Sequence, residues 1–144
     1  MSDGNMSTRH PDLYQQLTAL STQADAAVAE AGLDPLLNEL IKIRVSQING
    51  CAFCLRMHTR DALAKGETTD RLAVIAAWWE SQYFTPVERD SLALSEEVTQ
   101  LNGTARHSTE DLLTDQQASA VAWLAIVMNA WNRVAITSHY RVAP

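Results

Sequence analysis

Apolar side chains along this chain recur at helical spacing, and no stretch alternates with period two. Leu13, Leu17, Leu20, Ala24, Val28 and Ala31 fall on one helical stripe, and Leu37, Ile41, Val45 and Ile48 on a second. A strand would place every second residue on one face, a pattern found nowhere here. The chain is therefore expected to be all-α, a single-domain bundle of about six helices with no sheet.

Punctuation divides the bundle. Gly32 ends the first helix; Asp34 caps the second, with Pro35 at its first position. Asn49-Gly50 stops that helix, and Cys51 opens a third that runs towards Lys65 and closes at Gly66. A fourth starts at Thr68 or Thr69 and turns Leu72, Ile75, Ala76 and Trp79 inward. Thr85-Pro86-Val87-Glu88 has the pattern of a capping box, and its helix carries Leu92, Leu94 and Val98 up to Asn102-Gly103. After a polar connection, a second capping box from Thr114 to Gln117 launches a helix reaching Ser138. It is apolar almost all round at Val121, Trp123, Leu124, Ile126, Val127 and Met128, which suits a bundle centre or a subunit interface. Residues 1–9 read as a flexible tail and residues 10–144 as one helical domain.

Composition narrows the function classes. Eleven Lys and Arg against seventeen Asp and Glu give a net charge of −6, a field that repels phosphate backbones and anionic membranes. Neither nucleic acid nor a membrane is expected as a partner. The apolar run Ala120–Trp131 is shorter than a bilayer span and is interrupted by Asn129. The polar N-terminus has no signal-peptide core, so a cytoplasmic, reducing compartment is expected. There, two cysteines in 144 residues are a metal-binding or catalytic pair sooner than a structural one.

Those cysteines, Cys51 and Cys54, lie one turn apart at the start of the third helix, where the helix dipole favours a thiolate. His58 follows Cys54 by four residues and so shares its face. If the second and third helices pack antiparallel, Glu39 returns beside the Cys54–His58 turn. Its apolar neighbours are expected to raise its carboxyl pKa, and it can orient the imidazole or pass a proton. Two close sulfurs with a base in reach make a redox dithiol. Two other readings stay open on these residues: a zinc site formed by Cys51, Cys54, His58 and Glu39, and a pair of inert buried thiols. Covalent haem is excluded by Leu55, since the attachment motif needs His at that position.

The spacing Glu39-x11-Cys51-x2-Cys54-x3-His58, with the later segment Asn129-Ala130-Trp131-Asn132-Arg133, resembles the AhpD-type alkylhydroperoxidases of the carboxymuconolactone decarboxylase-like superfamily. The resemblance spans about residues 12–140. It implies an all-α subunit forming homotrimers or homohexamers. It also implies that Cys54 attacks a hydroperoxide, Cys51 resolves the sulfenic acid, His58 assists and Glu39 joins a proton relay. An external dithiol, lipoyl- or thioredoxin-like, would restore the thiols, and no cofactor or metal is implied. Phe53 stands where studied members carry a His, which removes one relay group and makes the pocket more apolar. The superfamily also contains decarboxylases of muconolactone-like acids, which generally lack the cysteine pair. A metal-binding or structural helical oligomer is the non-enzymatic alternative.

Among the remaining residues, the tryptophans are expected in core or interface. Arg133 is expected to pair with a carboxylate across a helix contact, and Glu96-Glu97 and Glu110-Asp111 to be solvated. His10, His107 and His139 receive no role.

Overall fold

The computed structural model describes residues 5–102, 107 and 109–144. Among these, every regular element is helical: α1 (Met6–Arg9), α2 (Pro11–Glu30), α3 (Pro35–Asn49), α4 (Ala52–Ala64), α5 (Thr69–Val74) running into a 3-10 turn (Ile75–Glu80), α6 (Pro86–Gln100) and α7 (Asp115–Thr137). The one-turn α1 falls in the stretch expected to be a tail. It is capped by Asn5 and tied to the end of α7 by Met6 N–H donating to Ser138 Oγ at 3.2 Å. Residues 1–4 of that stretch, and Gly103 of the expected Asn102-Gly103 stop, lie outside the described residues.

The caps form as their chemistry dictates. Asp34 accepts from Leu36 N–H at 2.9 Å, and both capping boxes close, Thr85 with Glu88 and Thr114 with Gln117. Gly50 ends α3 at φ 70°, a left-handed conformation that a side chain would strain. That single residue reverses the chain, so α4 folds back along α3.

The most enclosed helix is α3, flanked by α4, α6 and α7. Residues Leu37 to Ser46 are all buried except Lys42. Its polar members Asn38, Glu39, Arg44 and Ser46 disguise this in the sequence; each is buried with a hydrogen-bond partner. The last helix, α7, buries Val121, Leu124, Val127 and Met128 against α2, α3 and α6 but turns Trp123 and Ile126 outward. It is long and apolar enough to cross a membrane by composition, yet its inner face belongs to this core.

Three packing expectations are corrected. The stripe on α2 is buried only in its second half, at Ala24 and Val28; Leu13 and Leu20 are exposed. In the fourth helix, Ile75 and Trp78 point inward while Ala76 is exposed and Trp79 half-buried. The cause is the 3-10 turn, which repeats every three residues, with a break at Ala77 (φ −133°, ψ 38°). Glu96 is not solvated. It is 3% exposed, and its Oε1 accepts from Arg44 Nε at 2.7 Å and from Trp78 Nε1 at 2.9 Å, a charge made tolerable by its partners. Glu110 and Asp111 are exposed as expected.

Candidate active site

The turn at Gly50 delivers Cys51 to the N-cap of α4, where its Sγ accepts from Cys54 N–H at 3.3 Å. A sulfur thus occupies the place usually held by a Ser, Thr or Asp oxygen, facing the positive end of the helix. Cys51 and Cys54 are joined as a disulfide, their Cα atoms 5.4 Å apart, and both are buried. That separation lies in the ordinary range for a bridge and needs no backbone movement.

One turn further along α4, His58 is buried with its Nδ1 3.1 Å from Glu39 Oε2. The antiparallel return of α4 along α3 brings Glu39 to the Cys54–His58 turn, as the spacing predicts. The carboxylate is held by two lysines as well: Lys65 Nζ donates to Oε1 at 2.7 Å and Lys42 Nζ lies 3.8 Å from the same oxygen, while Asp61 Oδ2 lies 3.8 Å from the same His58 Nδ1 that faces Glu39. Burial alone, the largest single influence, would push the Glu39 carboxyl up. The hydrogen bonds from His58 and Lys65 and the nearby Lys42 charge together outweigh it and bring the group down to about 2. The expected raised carboxyl is thus corrected: its apolar neighbours are present, but two lysines reach over them. An ionised Glu39 can only accept, so His58 Nδ1 carries the hydrogen and Nε2 is left to face away from Glu39.

Cys54 and His58 open onto a cavity of about 350 Å³ between α2, α4 and α7, a volume at the lower end of small-molecule sites. Phe53, Met57, Leu124, Val127, Met128 and Trp131 make it largely apolar; Thr18, Ser21 and Lys42 add polar points. Trp131 is braced edge-to-face by Tyr14 at 5.2 Å, and Phe53 by Tyr140 at 5.0 Å. Phe53 therefore acts as an aromatic wall where the resemblance expects a His. Arg56 donates to Ala143 O at 2.8 Å and ties the C-terminal segment, with Tyr140, over this end of α4.

Lys65, Lys42 and Asp61 were missed by sequence reasoning, although spacing points to each. Lys42 follows Glu39 by three residues, and Asp61 and Lys65 follow His58 by three and seven, all on one helix face. Among the described residues, the group whose ligand atoms converge within 4.8 Å is Glu39, His58 and Asp61, which differs from the Cys51–Cys54–His58–Glu39 set expected for zinc. The two sulfurs are bonded to each other.

Within the Asn129–Arg133 segment Trp131 lines the cavity, while the two asparagines serve architecture. Asn132, fully buried, accepts from Asn49 Nδ2 at 2.9 Å and donates to Ser46 Oγ at 3.0 Å. Asn129 accepts from the same Asn49 amide and donates to Thr99 Oγ1 at 3.0 Å. These bonds lock the end of α3, and hence the Gly50 turn, to α6 and α7. Arg133 folds back on Asn129 of its own helix and lies exposed; the expected carboxylate partner is corrected. His107 stacks on Trp79 with centroids 3.8 Å apart.

Comparison with known proteins agrees with this picture. The sequence profile of the carboxymuconolactone decarboxylase family matches residues 11–97, a span holding α2 to α5, most of α6 and all four site residues. The uncharacterized protein YdfG of Bacillus subtilis (strain 168) is 36% identical over 119 residues, 79% of this chain and 81% of its own length. The uncharacterized protein YnjA of Escherichia coli (strain K12) is 30% identical over 64 residues, 44% of this chain and 35% of its own. The crystal structure of a protein of unknown function from Agrobacterium tumefaciens, suggested to be the antioxidant defence protein AhpD, superposes with a TM-score of 0.80 at 26% identity. That match covers 100% of this chain and 99% of the other.

Proposed function

This chain belongs to the carboxymuconolactone decarboxylase family, and we propose that it is a dithiol peroxidase of the AhpD type. The observation that carries the reading is a Cys51–Cys54 pair at a helix N-terminus, with Cys54 and a His58 hydrogen-bonded to Glu39 on the wall of an apolar cavity.

In the reduced protein, Cys54 thiolate attacks the outer oxygen of a hydroperoxide. The O–O bond breaks, hydroxyl stays on sulfur as a sulfenic acid, and the alkoxide takes a proton and leaves as an alcohol. Cys51 thiolate then attacks the Cys54 sulfur, closes the disulfide and expels the hydroxyl, which leaves as water once protonated. His58 stands beside Cys54 to take the thiol proton and return it to the leaving oxygen. Glu39, ionised well below neutral pH, anchors the relay by holding His58 through Nδ1; it is not the group that shuttles. The apolar wall favours an organic hydroperoxide over a fully hydrated one. An external dithiol of lipoyl or thioredoxin type completes the cycle, in a reducing cytoplasmic compartment, with the subunit in a homotrimer or homohexamer.

Treatment of the reduced protein with a slight excess of hydroperoxide tests this. The expected result is loss of two hydrogens in the intact mass, loss of both thiols, and a Cys51–Cys54 linkage. Persistent thiols would overturn the reading and leave decarboxylation of a muconolactone-like acid in the same cavity as its successor.

A further inference from the structure

Two hollows meet the disulfide, and each touches only one of its cysteines. The large cavity is lined by Cys54 and His58 but not by Cys51. A second recess of about 230 Å³, at the start of α4, is lined by Cys51, Gly50, Ala52, Ile136, His139 and Val142 but not by Cys54. The residues common to both are Phe53, Ala135 and Tyr140, so the edge-to-face pair Phe53–Tyr140 stands as a septum between them. The recess is also far more polar than the cavity, with His139 exposed at its wall.

Thiol–disulfide exchange is directional. A thiolate attacks one sulfur along the S–S axis, from the side away from the sulfur that leaves. Attack on Cys51 from the recess makes Cys54 the leaving sulfur. Cys54 is the one placed to leave well, in the first turn of α4 and beside His58.

Resting on the dithiol-peroxidase reading, we propose that the recess beside Cys51 is the reductant's opening, separated by the Phe53–Tyr140 septum from the hydroperoxide's cavity beside Cys54. A reductant thiolate bonds to Cys51 Sγ, the S–S bond breaks, and the electron pair departs on Cys54 Sγ. The reductant's second thiol gives its proton to solvent and attacks its own sulfur in the mixed disulfide. The reductant leaves as an intramolecular disulfide and Cys51 as a thiolate, so one disulfide is reduced and one dithiol oxidised. Cys51 is only 1% exposed at the base of the recess, which narrows the two reductant types to a small dithiol or one borne on a slender arm and sets aside the thioredoxin-like protein surface.

The two half-reactions can be measured apart. The oxidised protein, prepared with diamide so that no hydroperoxide is needed, is reduced with dithiothreitol while thiols are followed. Ala52→Trp and Ile136→Trp, at two exposed positions on the recess wall, are expected to slow this reduction about tenfold or more by blocking access. Both variants should keep the wild-type rate of thiol loss to cumene hydroperoxide. Met57→Trp, on the large cavity, should do the reverse. Wild-type reduction rates in both recess variants would overturn the proposal, as would equal slowing of both half-reactions. Because the dithiothreitol step involves no peroxide, its outcome judges the two-opening arrangement even if hydroperoxide proves not to be the oxidant.

Discussion

At the scale of single residues, the site depends on a buried carboxylate that keeps its charge. Glu39 titrates at about 2 in the folded chain against an ordinary value of 4.5. The unfolded chain therefore binds more protons between these values. The stabilisation, on the order of 3 kcal/mol from the size of the shift, is complete above about pH 4.5 and is lost as pH falls towards 2. Urea unfolding from pH 7 to pH 2.5 should show that loss, and Glu39→Gln should flatten it; an unchanged acid limb in the variant would assign the effect elsewhere. His58→Asn should lower the rate of thiol oxidation by hydroperoxide about a hundredfold, the scale of a lost general base, with the disulfide still able to form under diamide. Stopped-flow thiol kinetics would check this. The convergence of Glu39, Cys51, Cys54 and His58 was legible in the sequence because helical spacing places the last three together and an antiparallel return across the Asn49-Gly50 stop brings Glu39 to them. The ionisation of Glu39 was not, since it is the outcome of burial set against the His58 and Lys65 hydrogen bonds, which come from the facing helix and its end, and the Lys42 charge on its own helix.

At the scale of elements, polar side chains hold the helices in register. Asn132→Leu leaves Asn49 and Ser46 short of a partner in the interior, and should cost about 1–3 kcal/mol in urea unfolding. Glu96→Ala strands the buried Arg44 guanidinium and should cost about 3–5 kcal/mol. Replacing both, as Glu96→Leu with Arg44→Met, should recover most of that loss, and failure to recover would mean that Trp78 Nε1 is the partner that matters. Helix boundaries were readable because caps are local: Asp34, Thr85 and Thr114 mark their helices by their own side chains. The centrality of α3 and the burial of Glu96 were hidden because a hydrophobic pattern counts charged residues as solvent-facing, whatever they pair with across the bundle. The phase of the fourth helix was lost for another reason: its period changes from 3.6 to 3 at Ile75.

At the scale of the whole molecule, α7 presents Trp123 and Ile126 outward, 51% and 45% exposed, one helical turn apart. Neighbouring large apolar side chains on a helix face suit a subunit interface. Sedimentation should give a trimer or hexamer for the full chain, and Trp123→Glu should shift it to smaller species; a wild-type monomer at micromolar concentration would contradict the expectation. The same helix supplies Trp131, Val127 and Met128 to the cavity, so loss of assembly should also lower the rate of hydroperoxide reaction. The fold class was evident from periodicity alone, whereas the cavity was not, because its walls come from α2, α4, α7 and the C-terminal segment at once.

The central claim is that Cys54 receives the peroxide oxygen and Cys51 resolves it. Cys51→Ser and Cys54→Ser, each exposed to one equivalent of hydroperoxide and then to a sulfenic-acid trap, test it by peptide mass mapping. A trapped adduct on Cys54 is expected in the first variant and an unreacted Cys51 thiol in the second. An adduct on Cys51, or equal reaction in both variants, would contradict it.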